Sequence, residues 1–264
     1  TNKKNVNKMR KFKFYVVSLF LLFSLSISAQ CSFHNTAFNS GEFLNYNLYF
    51  NWKFVWVKVG TASWYTVSST YKGIPAYRAS LTTRGNGKLD NYFIMRDTLL
   101  CYNTKDLAPL YYRKGAKEGK RYTVDEVFYS YPNGNINIKQ HRIDADGEKH
   151  WKSSSPKECV YDMMSIFLRA RSFNPTSWKK GFVVNFPLVS GKTLAPARII
   201  YNGKKTIKAD NDKKYRYYLG TDFRDRHTYY GNEYVADKRR HRPFHWKYHG
   251  TFCGCHGCIT GKGM

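Results

Sequence analysis

The densest group of metal-binding side chains lies near the C-terminus, where His241, His245 and His249 recur every fourth residue and Cys253, Cys255, His256 and Cys258 follow. Imidazole and thiolate are the usual zinc ligands, and this histidine spacing would align three rings on one helix face. Pro243 and the surrounding aromatics oppose that helix, and the cysteine spacing matches no zinc finger, ribbon or knuckle. No metal site is favoured, His245, His249, Cys255 and Cys258 being the weak candidates, and no cofactor is called for. Catalytic patterns are equally thin. Ser63, Ser165 and Ser190 lack a Gly-x-Ser-x-Gly elbow. Among the carboxylates Asp90, Asp97, Asp125, Glu126, Asp144 and Asp146, the adjacent Asp125 and Glu126 point to opposite faces of a strand, and Asp144-Ala145-Asp146-Gly147 reads as a turn. Gly85-Asn86-Gly87 lacks the later glycine and the helix of a nucleotide fingerprint. The pattern predicts no enzyme. Binding chemistry is better represented. Tyr111, Tyr112 and Arg113, with Lys114, place aromatic rings beside cations that can stack sugars and hold acidic groups, as do Tyr129, Tyr131, Lys139 and Arg142. Ordinary sheet construction, with aromatic strands and lysine-guarded edges, also accounts for them.

Charge narrows the partners. The 264 residues carry a formal +26, with 22 Tyr, 18 Phe and 6 Trp and 42% hydrophobic residues. This is too apolar for a disordered polycation and too charged for a multi-span membrane protein. The basic run Met9-Arg10-Lys11-Phe12-Lys13, a mostly apolar uncharged stretch over 14–25 and the small residues Ser26-Ile27-Ser28-Ala29 together predict a secretory signal peptide within 1–29, cleaved near Ala29. Gln30 stands where a lipoprotein signal needs a small residue before Cys31. No later segment approaches the roughly 20 apolar residues of a spanning helix, so an integral membrane protein is not expected. Export makes nucleic acid an improbable partner and brings anionic envelope polymers forward. With 29 basic and 14 acidic side chains, residues 30–215 keep +15. Cys31, Cys101 and Cys159 can include one disulfide in an oxidising compartment, and the sequence does not choose the pair.

The elements that must position these groups are mostly strands. From Glu42 onward the apolar residues alternate: Leu44, Tyr46, Leu48, Phe50 and Trp52 share one face, opposite Asn45, Asn47 and Asn51. Further strands are predicted over 54–59, 64–67, 76–83, 92–95, 110–113, 122–131, 135–143, 182–188 and 197–201, with Gly60 allowing a bend or close backbone approach. Asn86-Gly87, Asn133-Gly134, Asp146-Gly147 and Asn202-Gly203 are predicted as tight hairpin turns of an antiparallel sheet. Asp162 can cap a single helix over 162–172 with Met163, Ile166, Phe167 and Ala170 along one side, stopped by Asn174-Pro175. Residues 216–264 hold only Leu219, Val235 and Ile259 as branched aliphatics, which predicts an atypical basic tail, disordered or read out of frame.

Gly41-Glu42-Phe43-Leu44-Asn45-Tyr46, Trp56-Val57-Lys58-Val59-Gly60-Thr61-Ala62, Asp97 ahead of Asp106-Leu107-Ala108-Pro109, and Asp162-Met163-Met164-Ser165-Ile166-Phe167-Leu168-Arg169 before Trp178-Lys179-Lys180-Gly181 resemble, in this order, the bacterial envelope family called domain of unknown function 3108. The Ala-Gln signal ending is similar to those common in Bacteroidetes. The resemblance implies a curved antiparallel half-barrel wrapping a helix, similar to the periplasmic lipoprotein carriers, and implies no catalytic residues. The expectation is therefore a mainly β (α+β) fold: a strongly curved antiparallel sheet around one helix, exported to the periplasm or cell envelope and non-catalytic. Leu44, Tyr46, Leu48, Phe50, Trp52, Met163 and Phe167 would line a concave face for a hydrophobic, lipid-like or lipoprotein ligand. The alternative is acidic glycan held by Tyr111, Tyr112 and Arg113.

Overall fold

A computed structural model describes residues 31–52, 55–91, 94–208, 214–221, 223–225, 228–230, 233–236, 250–254 and 257–261. Residues 1–29, predicted from sequence as a signal peptide, lie outside them. Eight strands follow one another as an antiparallel meander: β1 (Glu42–Trp52), β2 (Val55–Tyr71), β3 (Ile74–Gly85), β4 (Met95–Thr104), β5 (Pro109–Glu118), β6 (Arg121–Ser130), β7 (Asn137–Ile143) and β8 (Lys149–Ser154). The sheet is open, with β1 and β8 at its edges. A short α1 (Gly87–Asp90) interrupts the β3–β4 connection, and α2 (Met163–Arg171) precedes β9 (Val183–Ser190) and β10 (Thr193–Lys208). The chain continues through β11 (Lys214–Thr221), the ribbon of β12 (Phe223–Asp225) and β13 (Thr228–Tyr230), β14 (Glu233–Ala236), and the ribbon of β15 (Gly250–Gly254) and β16 (Gly257–Gly261). Strands β9, β10, β11 and β14 form a second sheet, whose register runs across the boundary predicted at 215.

Cross-strand register explains which side chains meet, because directly opposed residues share a face. One inner row reads Leu44, Trp64, Leu81, Leu99, and then Lys114, Asp125, Arg142, His150. The first half of the row is apolar and belongs to the core that receives Met164 and Leu168 of α2. The second half is charged and meets the β9–β10 turn, where the Gln140 amide donates to the Gly191 carbonyl at 2.8 Å. Ile166 and Ala170 project from α2 into a second cluster with Phe186, Leu188, Ala197 and Ile199. The helix is thus buried on two sides, and Met164 and Leu168, not the predicted Met163 and Phe167, go deepest. Asp162 caps it as expected, accepting from the Ser165 N–H at 2.8 Å and from the Tyr129 hydroxyl at 3.0 Å. Burial pushes the Asp162 carboxyl up to about 6 against those hydrogen bonds.

Several predicted boundaries move, each for a local reason. The segments 54–59 and 64–67 belong to one long β2, because Gly60 does not break the strand: a Cβ there would stand 2.2 Å from the Arg84 carbonyl oxygen, the close approach that glycine permits. The strand predicted at 92–95 begins at Met95 and continues to Thr104, its inner face holding the polar Asp97 and Asn103 that masked the alternation. Asn86-Gly87 leads into α1, and Asn202-Gly203 forms no turn at all: Gly203, at φ 103°, sits at a register shift within β10. The edge strand β8, polar apart from Trp151, carries no apolar alternation to announce it.

Candidate functional site

Neighbouring residues on a strand face opposite ways, and this separates the predicted glycan-binding trio. Tyr112 is turned into the core, 5% exposed, while Tyr111 and Arg113 lie on the outer face. Tyr129 and Arg142 also point inward, Arg142 donating to Asp125 at 2.9 Å, and the Tyr131 hydroxyl donates to the Pro109 carbonyl at 2.7 Å. Of that second predicted group only Lys139 shares the outer face with Tyr111.

What joins Tyr111 there comes from six other strands, β2 to β4 and β6 to β8. Register places Arg78, Tyr102, Tyr111, Phe128, Lys139 and Ser153 in one transverse row, with Arg113, Glu126, His141 and Trp151 in the next. Tyr71 lies within 12° of parallel to Tyr111, their centroids 5.6 Å apart, and the Tyr111 centroid is 5.1 Å from that of Phe128. Trp151, 54% exposed, lies flat on His141 at 4.0 Å and 12°, with the Lys139 ammonium 4.5 Å over its ring. The result is an aromatic surface flanked by Arg78 and Lys139. At about 4.8 Å per strand, β3 to β7 spans on the order of 19 Å.

Beneath the rings a carboxylate fixes the geometry. Glu126 accepts from the Tyr111 hydroxyl, and its Oε2 lies 2.8 Å from His141 Nδ1. Burial alone would raise its pKa, but the hydrogen bonds from Tyr111 and His141 prevail and hold the carboxyl below its ordinary range. Burial and the same carboxylate push the Tyr111 phenol up, so it stays protonated and donating. The Nε2 atom of His141, buried under Trp151, has no hydrogen-bond partner among the described residues. This arrangement orients rings and supplies cations.

The concave-face candidates sit differently. Leu44 is 1% exposed and part of the core, and Tyr46, Met163 and Phe167 are partly buried against it. Leu48 is half-buried in β1, and the side chains of Phe50 and Trp52 lie outside those described. The metal candidates His245, His249 and Cys255 fall outside the described residues, and Cys258 stands in β16 opposite Cys253. Among the described residues no group of His, Cys, Asp or Glu could hold a metal ion.

At the inner charged end, Asp97 is 4% exposed and one of its carboxyl oxygens has no hydrogen-bond partner among the described residues. Burial pushes its pKa up to about 6, with Lys114 opposing. A carboxyl raised from its ordinary 3.8 holds its proton more firmly in the folded chain. Its contribution to stability is therefore full below about pH 4 and is lost as pH rises through 6. Asp97→Asn is expected to stabilise the protein at pH 7 by on the order of 2–3 kcal/mol and to flatten the pH 4–6 slope in urea titrations. A less stable variant at pH 7 would show that the charged form is held by an attraction outweighing its burial.

Turn chemistry could have located the outer platform. Counting out from Asn133-Gly134 pairs Phe128 with Lys139 and Glu126 with His141, whereas the same count from Asp146-Gly147 misses by one residue, because that turn has three residues and pairs His141 with Trp151.

A family model described as protein of unknown function (DUF3108) matches residues 45–246. No curated protein matches the chain. A solved structure described as a beta-barrel-like protein of domain of unknown function DUF1849, from Brucella abortus, is similar in fold, with a TM-score of 0.53 at 8% identity, covering 86% of this chain and 97% of that one. At that identity the likeness concerns the fold alone.

Proposed function

The chain belongs to the DUF3108 family, and we propose that it is an exported, non-catalytic envelope protein whose outer sheet face binds acidic glycans. The observation that carries this reading is the transverse row Tyr102, Tyr111 and Phe128 between Arg78 and Lys139, extended by Tyr71 and Trp151. The exposed Trp151 and the outer sides of the half-buried tyrosines and Phe128 can cover the apolar faces of sugars, and flanking cations meet their carboxylates. Export is supported by the bond between Cys31 and Cys159, since disulfides persist in oxidising compartments.

The test is retention of the purified protein on immobilised polygalacturonate. Retention is expected at low salt, weakening as added salt screens the cations. Trp151→Ala and Tyr111→Ala should each weaken binding by about tenfold, equivalent to ~1.4 kcal/mol, with unfolding midpoints close to the parent's. Retention unchanged in both variants, or absent in the parent, would overturn the reading. The partly buried Tyr46, Met163 and Phe167 at the edge of the core support a second reading, a lipid-like ligand on the concave side. Lipid recovered by organic extraction of protein purified from envelopes would favour it over the glycan.

A further inference from the structure

A cleft of about 380 Å³ opens beside the β6–β7 turn, lined by Asn133, Asn135 and Asn137 together with Ser155 and Lys157. Its position relates it to the outer platform. Asn137 precedes Lys139 and His141 at two-residue steps on the same face of β7, and Ser155 lies beyond Trp151 and Ser153 just past the end of β8. At about 3.3 Å per residue the cleft lies one step, roughly 7 Å, along β7 from the Lys139–Trp151 end of the row. Its chemistry differs from the platform's. Where the platform offers ring faces, the cleft has an apolar wall of Pro132, Ile136 and Pro156 set with three carboxamides, each able both to donate and to accept, a hydroxyl and a lysine. That set suits the hydroxyls and carboxylate of a uronate sugar, and the volume falls within the range of small-ligand pockets.

Resting on the glycan reading, we infer that this cleft is a second subsite: a linear uronate polysaccharide lies across Tyr102, Tyr111 and Phe128, passes Lys139, and places a further sugar among the asparagines. The ligand is then recognised as a chain of several units. Three strand spacings from Tyr102 to Lys139 plus one step along β7 require a span on the order of 20 Å. A disaccharide reaches only one of the two regions.

The experiment is calorimetric titration with oligogalacturonides of increasing length, from the disaccharide upward. Affinity is expected to rise with length until the chain spans both regions and then level off. Asn137→Ala should leave disaccharide binding unchanged while weakening the longest oligomer about tenfold. Asn137→Asp, which keeps the side-chain shape but repels a carboxylate, should weaken it further. Both variants are checked by thermal unfolding. If long and short oligomers bind equally, or the Asn137 variants match the parent at every length, the cleft is no subsite and the platform alone binds. If no oligomer binds the parent protein, the glycan reading itself fails.

Discussion

Breaking the bond between Cys31 and Cys159, by Cys159→Ser or by reduction, is expected to lower unfolding stability by about 4–5 kcal/mol. The bond joins residues 128 apart in sequence, and closing a loop of that length removes a large share of the unfolded chain's entropy. It also adds to the other ties of the N-terminal segment, among them the bonds from the Thr36 amide and hydroxyl to Ser172 and from the Ser68 N–H to the Ser40 hydroxyl. Residues 31–40 contain no strand or helix and lean on the body through Phe38, buried against Tyr77, and through Phe33, on which the Arg169 guanidinium sits 4.5 Å from the ring centroid. The loss would be a large fraction of the 5–15 kcal/mol that domains possess. Urea titration of the parent, the reduced parent and the Cys31→Ser/Cys159→Ser double variant provides the check, and the last two should coincide. Because Cys101 is buried and burial holds its thiol protonated, it should not exchange into the bond. Midpoints equal to the parent's would mean that packing and hydrogen bonds hold the N-terminal segment without the disulfide.

The parts of this molecule that could be read from sequence are those where one residue's environment is decided locally. The alternation through Leu44 and Tyr46 announces β1, and Asp162 announces the start of α2, because a cap and a period depend on residues a few positions away. The platform depends on pairing between strands. Tyr111 and Tyr112 are adjacent in sequence and lie on opposite faces, whereas Tyr71 and Tyr111 are forty residues apart and parallel. Asn202-Gly203 shows the same limit in another form. A positive φ is what the dipeptide tolerates, and a bulge inside β10 uses that tolerance as well as a turn would. Helix α2 has two buried sides because a second sheet covers it, which its own periodicity could not indicate.

Arg171→Met alone is expected to destabilise the protein by about 3–5 kcal/mol, and adding Glu42→Leu should restore most of the loss. The Arg171 side chain is 4% exposed at the last turn of α2, and its guanidinium grips Glu42 at the first residue of β1 through two bonds, Nη1 to Oε2 at 2.7 Å and Nη2 to Oε1 at 2.5 Å. This fork fixes the helix end against the sheet edge and lies over the Phe38 ring at 5.2 Å, next to the segment the disulfide secures. Removing one partner leaves the other as an uncompensated buried charge, which costs far more than the pair contributes. Removing both in favour of apolar groups eliminates that penalty, so the double variant separates a need for the ions from a need for packing. The check is a double-mutant cycle in urea, with the disulfide intact throughout. Additive losses would mean that Arg171 and Glu42 act independently, through Phe38 and the strand start respectively; recovery in the double variant would identify the pair as a device of orientation, replaceable by any two side chains of matching shape.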